Sequence, residues 1–466
     1  MRRSLTAVSL ALLLFAVPAV AQQSSLKLPP YKKVTLPNGL TVLLMEQHEV
    51  PIVSFEFAVK AGSVADPAGK EGTASITAEL LREGTPSRTA DQISAELDFI
   101  GGQLGAAVTE DTTSGSAEFL KKDLVKGLDL LADVLLHPTF PAEEFTKVQK
   151  QRIDGIRSAK DRAQAVMAFY FNAYLFGSHP YARPAIGDEK SLAAITRDDV
   201  VAFYKNNYAP ANAILAVVGD FSTAEMEKLL TEKFGAWAAP AGNAAAAVKL
   251  AEPSPVKGKR LLLVDKPDST QTFFRIGNVG VHSKHPDRVT IEVVNTLFGG
   301  RFTSMLNSAL RIQSGLTYGA GSFFDRRQVS GPFAINTYTR NETTEQAMDM
   351  ALNILQRLHV EGISEEQLTS AKNYIQGQFP PDIETSDQLA DLLVDLELRG
   401  LDEREINEFY AKVDAVTLAE VRRVIHERFP LENLVFVLIG KASEIETVAK
   451  KYAPQINKKS ISDPGF

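Results

Sequence analysis

Three positions on one short helix have the spacing of a metal site but not its residue types. Residues 72–85 read Gly-Thr-Ala-Ser-Ile-Thr-Ala-Glu-Leu-Leu-Arg-Glu-Gly-Thr, an apolar helical run with glycine at both ends. Side chains at i and i+4 lie one turn apart, so two imidazoles there can bind one zinc ion while a carboxylate at i+3 activates its water. Those positions hold Ser75, Ala78 and Glu79. A serine hydroxyl is a poor zinc ligand and alanine cannot act as a base, so we expect no metal in this chain.

A second pair of chemically capable side chains, Arg311 and Tyr318, lies far along the chain. They are seven residues apart in the segment Leu-Arg-Ile-Gln-Ser-Gly-Leu-Thr-Tyr-Gly-Ala at 310–320. A phenol aimed at developing negative charge lowers a reaction barrier, and a guanidinium offers a fixed fork of donors to carbonyl groups. The alternative is a surface Arg and a core Tyr at a helix-to-strand turn.

The histidines offer no substitute for the missing ligands. His282 and His285 are close in sequence, but no acidic or Cys partner at ligand spacing flanks them, and we interpret them as a surface pair. Four others are expected to be isolated: His48, His137, His359 and His426.

The elements around these residues alternate between strands and helices. Residues 34–44 predict a hairpin that turns at Asn38-Gly39. Strands are predicted at 53–61 and 105–117, and helices at 76–82, 90–100, 122–136 and 142–175. This is an α+β pattern with a mainly antiparallel sheet and helices packed on one face.

An internal repeat divides the chain. The Ala/Pro-rich stretch 237–258 is typical of an exposed linker. Leu-Asp-Phe-Ile-Gly-Gly-Gln at 97–103 matches Asn-Thr-Leu-Phe-Gly-Gly-Arg at 295–301, and 208–219 matches 429–440, each after a predicted helix. We therefore expect two homologous halves, at 31–236 and 259–455, followed by a tail at 456–466.

The N-terminus and the composition indicate an exported protein. Arg2 and Arg3 precede an apolar run that ends in Ala-Val-Ala, which predicts a signal peptide at 1–21 and cleavage near Ala21. We expect a periplasmic or secreted location and no stable membrane span. The chain has no Cys, which excludes thiolate metal sites and Cys nucleophiles. A formal charge of −7 without a basic block argues against nucleic-acid binding.

The frame at 72–85 resembles the insulinase/pitrilysin family, the inverzincins, whose helix carries His-x-x-Glu-His. The resemblance covers about residues 31–455 and implies two halves joined as a clamshell. It places the first His on Ser75, the Glu on Ala78 and the second His on Glu79. A third ligand, a Glu, falls on Gly155, or on Asp154 if the alignment slips by one. Two carboxylates without an imidazole would make a weak zinc site, and we favour solvated helix residues.

The same resemblance gives roles to the second pair. In the family a Tyr donates to the oxyanion and an Arg seven residues earlier positions the substrate backbone, which implies these roles for Tyr318 and Arg311. The family-like stretch at 299–306 favours this interpretation over the structural one.

Three further family features have counterparts here. An edge strand that pairs with substrate implies peptide binding at Gly105 and Ala106, although Gly105 replaces the usual Asn. Glu110-Asp111 beside it is expected to be a solvated turn. The His-Pro-Tyr turn, His179 to Tyr181 here, is structural in the family, and we expect the same.

Two functions from different classes follow. The first is the non-zinc-binding subunit of an exported heterodimeric zinc endopeptidase, inactive alone, which supplies Arg311 and Tyr318 in trans to a partner that bears His-x-x-Glu-His and the zinc. The second is a non-catalytic protein that binds peptide or acts as a scaffold. An active metallopeptidase would need an unconventional site around Glu79.

Overall fold

The structure is a computed structural model that describes residues 27–238 and 248–466. The expected signal peptide and the middle of the expected linker lie outside the described residues. Within the described ranges, no helix is both long enough and apolar enough to cross a membrane.

The first half is built on a six-stranded sheet. Its strands are β1 (Lys32–Thr35), β2 (Thr41–Glu46), β3 (Ile52–Val59), β4 (Gln103–Val108), β5 (Thr113–Leu120) and β6 (Ala213–Gly219). Its helices are α1 (Thr73–Leu80), α2 (Ala90–Ile100), α3 (Leu124–Leu136), α4 (Ala142–Lys160), α5 (Ala163–Phe176), α6 (Glu189–Ala194), α7 (Arg197–Asn207) and α8 (Thr223–Phe234).

The strand order in this sheet is β1-β2-β6-β3-β5-β4, so β4 lies at one edge. All neighbouring strands are antiparallel except β2 and β6. The predicted hairpin at Asn38-Gly39 is confirmed, with Thr35 opposite Thr41 and Gly39 at a φ of 96° that glycine adopts without strain. The single strand predicted at 105–117 is wrong. The chain turns at residues 109–112 and forms the hairpin β4–β5, because polar residues interrupt the apolar alternation there.

The second half repeats this plan. Its strands are β7 (Lys259–Asp265), β8 (Gln271–Val279), β9 (Ala320–Phe324), β10 (Pro332–Arg340), β11 (Leu434–Gly440) and β12 (Gln455–Ser460), in the order β12-β7-β11-β8-β10-β9. Its helices are α9 (Arg288–Asn295), α10 (Met305–Asn307), α11 (Thr344–Glu361), α12 (Glu365–Gln378), α13 (Ser386–Arg399), α14 (Arg404–Asn407), α15 (Phe409–Ala415), α16 (Leu418–Arg428) and α17 (Ala442–Ala449).

The matched segments of the repeat occupy equivalent places. Each half has a fully buried strand, β6 or β11, preceded by a Thr-capped helix, α7 or α16. The end of the chain differs from the expected tail, since β12 pairs in parallel with β7 and completes the second sheet. The mixed α+β class with two similar halves is confirmed.

Each sheet also receives a helix from the other half. On α5, Tyr170 and Phe171 pack against Val435 and Val437 of β11 in the second sheet. On α13, Leu389 and Leu393 join a buried cluster with residues of the first sheet, among them Ala58, Ile214 and Val218. This exchange joins the two halves through apolar packing.

Candidate functional site

Helix α1 carries the degenerate motif and is held at its N-terminus by Asp66. The Asp66 carboxylate accepts hydrogen bonds from the backbone N–H groups of Gly72 and Ala74, both at 2.7 Å. These donors have no partner within the helix, so a carboxylate there accepts their hydrogen bonds. Its negative charge also interacts favourably with the positive end of the helix dipole. Gly72 precedes the helix with a φ of 99°, where a β-carbon would lie 2.8 Å from Leu192. The glycine at the start of the motif is thus a packing requirement.

The position between Ser75 and Glu79 is filled by the guanidinium of Arg152, which comes from α4. Arg152 Nε donates to Glu79 Oε2 at 2.7 Å. Its Nη1 donates to the Ser75 hydroxyl at 2.7 Å, and its Nη2 donates to the Ser75 carbonyl at 3.1 Å. The arginine fork therefore ties α1 to α4 at the place where the two helices meet. Sequence reasoning missed Arg152, which lies one helical turn before Gly155.

The two residues expected near a third ligand position do not join this cluster. Gly155 is exposed and has open space around it. Asp154 is exposed and pairs with Lys150 at 2.7 Å and Arg157 at 3.2 Å. The hydrogen bond from Lys150 is the largest of the effects that lower the pKa of Asp154. Asp154 is therefore a surface residue, as expected, whereas Glu79 is bonded to Arg152.

These residues do not fit a zinc ion. A zinc site needs imidazole, thiolate or carboxylate donors around a central cation. At the three motif positions α1 offers one carboxylate, Glu79, and one hydroxyl, Ser75, and both already bind a guanidinium. Across residues 27–238 and 248–466, no three His, Cys, Asp or Glu side chains converge in a way that could hold a metal ion.

Arg311 and Tyr318 lie on one open cavity of about 480 Å³ in the second half. Arg311 belongs to the π-helical turn Ser308–Gln313, and its guanidinium stacks over the Phe302 ring at 4.7 Å from the ring centre. Tyr318 follows in the loop before β9 and is 80% exposed. The cavity wall also includes Gln164 of α5, so both halves contribute to it.

The loop that carries Tyr318 is fixed by hydrogen bonds on both sides. The Thr337 hydroxyl of β10 donates to the Gly319 carbonyl at 2.9 Å. The Ala320 N–H donates to Asn307 Oδ1 at 3.1 Å. In the described part of the chain no hydrogen bond is formed by the Tyr318 hydroxyl itself, which leaves it free to donate to a ligand. The exposure of Tyr318 excludes the alternative interpretation, in which it is a core residue.

The proposed peptide-pairing residues lie on an open edge. Gly105 and Ala106 are exposed in β4, which ends the first sheet. Helix α1 packs beside this strand, and Arg82 Nη1 donates to the Leu104 carbonyl at 3.2 Å. The degenerate motif and the edge strand are therefore neighbours, as a peptide site would require.

The solvated turn expected at Glu110-Asp111 is wrong. Glu110 pairs with the buried Arg327 of the second half at 2.9 Å. Asp111 accepts from the hydroxyl of the buried Tyr181 at 2.8 Å and from the Gln328 N–H at 2.9 Å. Burial raises the pKa of Glu110, while Arg327 opposes this effect. The turn fastens one half to the other, and the His-Pro-Tyr turn is structural as expected.

The histidines also differ in part from expectation. His359 and His426 are not isolated, because their Nδ1 atoms lie 3.3 Å apart, and His359 Nε2 hydrogen-bonds the Phe429 carbonyl at 2.7 Å. His48 is likewise not isolated, since it bonds Asp220 at 2.8 Å. All three contacts join residues that are distant in sequence, and no local pattern indicates them.

Comparisons with known proteins identify a peptidase family. A family model described as insulinase (peptidase family M16) matches residues 41–189, and one described as peptidase M16 inactive domain matches residues 194–375. An uncharacterized zinc protease of Mycobacterium leprae is 28% identical over 395 residues, which cover 85% of this chain and 88% of that protein. A crystal structure of a peptidase M16 inactive domain from Pseudomonas fluorescens superposes with a TM-score of 0.82 at 26% identity, over 88% of this chain and 98% of that one. A protease from Helicobacter pylori shares the fold with a TM-score of 0.83 at 23% identity, over 89% of this chain and 100% of that one.

Proposed function

Because this chain belongs to the insulinase (M16) family of peptidases, we propose that it is the non-zinc-binding subunit of an exported heterodimeric zinc endopeptidase. It binds an unfolded or extended peptide and supplies Arg311 and Tyr318 in trans to the zinc site of a partner. That partner is a paralogue with an intact His-x-x-Glu-His helix. One observation carries the proposal: the zinc positions are closed by Arg152, whereas Arg311 and Tyr318 line an open cavity.

The two side chains suit this role chemically. Attack of a zinc-bound water on a peptide carbonyl develops negative charge on its oxygen, and a phenol donor placed there stabilises that charge. The Tyr318 hydroxyl faces outward, so a second chain can bring a scissile bond to it. Arg311 is held by its stacking on Phe302, which fixes its donors beside the same cavity.

The location is part of the proposal. A signal peptide at 1–21 would deliver the chain to the periplasm or outside the cell. A protein without Cys needs no disulfide chemistry there and relies on its buried clusters for stability.

A non-catalytic peptide-binding or scaffolding protein is the second candidate. The match of residues 194–375 to an inactive peptidase domain favours it. On this account the cavity at Tyr318 binds peptide or partner without contributing to bond cleavage.

The two candidates are separated by a variant of the co-expressed pair. The chain is purified with its His-x-x-Glu-His paralogue, and turnover of a denatured peptide substrate is measured with Tyr318→Phe. Removal of one oxyanion donor lowers kcat by about 10²–10³-fold in enzymes that use one, and we expect a loss of that order without loss of assembly.

The control is Tyr374→Phe, which removes an exposed hydroxyl outside this cavity and should leave turnover unchanged. Undiminished turnover with Tyr318→Phe in an assembled pair would contradict the catalytic role and favour the scaffold.

A further inference from the structure

A second cavity, of about 770 Å³, lies between the first sheet and α13, and all the charged residues in its lining are acidic. Its lining contains five carboxylates and no Lys, Arg or His: Glu49, Glu56, Glu118, Glu384 and Asp387. It also includes Gln103 of the edge strand β4, so it opens beside the proposed peptide-pairing edge. An apolar or neutral segment would leave these carboxylates unmatched.

Glu56 is the distinctive residue of this cavity. It is only 8% exposed, yet it points from β3 into the cavity rather than into the apolar layer formed by Phe55 and Phe57. Among the described residues its carboxyl group has no hydrogen-bond donor and no ion-pair partner. Burial, and then the charges of Asp391 and Asp387, raise its pKa to about 8. An unpaired buried carboxyl group costs free energy that a ligand cation would offset.

The strand register leaves Glu56 open toward the sheet edge. Glu56 lies opposite Ser116 of β5, which in turn lies opposite Gly105 of β4. These three residues form one row across the sheet. Ser116 and Gly105, which lie between Glu56 and the sheet edge, have small side chains or none. Among the described residues, and leaving aside its two chain neighbours, no atom lies within 4 Å of the place where a β-carbon of Gly105 would be. The row is therefore a shallow path from the open edge to a buried acid.

Helix α13 adds charge from the opposite wall. Leu389 and Leu393 pack on the first sheet, while Asp387 and Asp391, one turn apart, lie on the flank of the helix beside them. Neither aspartate forms an ion pair within the described ranges. Both repel the charged form of Glu56. Glu56 and Asp387 thus face one space, and within the described part of the chain neither has an ion-pair partner.

We propose that this cavity binds the Lys or Arg side chains of an extended peptide, with Glu56 and Asp387 as its principal contacts. The proposal rests on the peptide-binding part of the proposed function and names the chemical class of that peptide. An ammonium or guanidinium group brings several donors and a positive charge to carboxylates that lack both. Binding at neutral pH converts the protonated Glu56 to its carboxylate and releases that proton to the buffer.

The test measures binding to the full chain without a partner. Fluorescence anisotropy compares a labelled peptide of alternating lysine and serine with matched peptides in which glutamine or glutamate replaces lysine. We expect binding of the lysine peptide, and a loss of about tenfold or more in affinity for the glutamine peptide, for Glu56→Gln and for Asp387→Asn. Glu232→Gln, an exposed change on α8, is the control and should leave the affinity unchanged.

Measuring the protons released on peptide binding makes the test specific to Glu56. Titration calorimetry near pH 7 in buffers of different ionisation enthalpy should detect proton release with the natural chain and its loss with Glu56→Gln. Equal affinity for the lysine and glutamine peptides, or full affinity after Glu56→Gln, would overturn the proposal. If Glu56→Gln does not fold, the paired change Asp387→Asn and Asp391→Asn on α13 is tested instead and is expected to weaken binding of the lysine peptide. A preference for the lysine peptide, combined with undiminished turnover of Tyr318→Phe, would support the cavity proposal. It would contradict the proposal that Arg311 and Tyr318 act in trans at the partner's zinc site.

Discussion

A single guanidinium, that of Arg152, joins the two helices that border the degenerate motif. It satisfies the Glu79 carboxylate, the Ser75 hydroxyl and the Ser75 carbonyl together. These groups would otherwise lose hydrogen-bond partners in a partly buried place, which is costly. At the degenerate motif, α1 and α4 are therefore joined by a structural contact.

Removal of this guanidinium should destabilise the fold measurably. Arg152→Ala leaves three polar groups without their donor, and we expect a loss of about 1–3 kcal/mol in the free energy of unfolding. Urea denaturation followed by circular dichroism measures the loss. Arg157→Ala, which breaks an exposed ion pair on the same helix, should cost less than about 1 kcal/mol. Equal losses for the two variants would contradict the structural role of Arg152.

The residue positions of the motif were predictable from sequence, but their partners were not. Helical spacing alone places Ser75 and Glu79 on one face. Arg152 carries no such signal, since arginine is common on helix surfaces. Glu110 and Asp111 look like a solvated turn because their partners are distant in sequence: Tyr181 lies 70 residues from Asp111, and Arg327 belongs to the other half of the chain.

At the scale of elements, the exchanged helices α5 and α13 unite the two halves. Sequence periodicity predicted helices on one face of each sheet and gave the bounds of α2 correctly. It could not show that α5 and α13 cover the sheet of the opposite half, because an apolar helix face does not identify its partner. The single strand predicted at 105–117 likewise hides the free edge of β4, because it merges β4 with its hairpin partner β5.

Truncation on an exchanged helix should weaken both halves together. Leu393→Ala on α13 removes a side chain that is buried against the first sheet, and we expect a loss of about 2–5 kcal/mol in one cooperative transition. Val360→Ala, an exposed position on α11, is the control and should change stability by less than about 0.5 kcal/mol. Two separate unfolding transitions, only one of which is shifted by Leu393→Ala, would contradict this coupling.

At the scale of the whole molecule, the acidic cavity gives stability a pH dependence. The pKa of Glu56 is raised to about 8 from an ordinary value of 4.5, so the folded protein holds its proton more tightly than the unfolded chain. This contribution is fully present below the unfolded pKa and is lost as pH rises through about 8. Burial raises the pKa values of Asp391 and Asp395 in the same direction.

Thermal unfolding across this range should reveal the effect. Between pH 5 and pH 9 the melting temperature is expected to fall for the natural chain, and to fall less for Glu56→Gln. The control Glu232→Gln should keep the slope of the natural chain. Parallel slopes for all three proteins would show that Glu56 ionises normally.

The central proposal is that the partner chain holds the zinc and this chain supplies Arg311 and Tyr318. Reconstitution of the pair tests it most directly. Peptide cleavage is measured for this chain alone, for its His-x-x-Glu-His paralogue alone and for the two together, with the zinc content of each. We predict cleavage only by the mixture, with zinc in the paralogue and substoichiometric zinc in this chain. Chelator-sensitive cleavage by this chain alone, with one tightly bound zinc ion per molecule, would contradict the account.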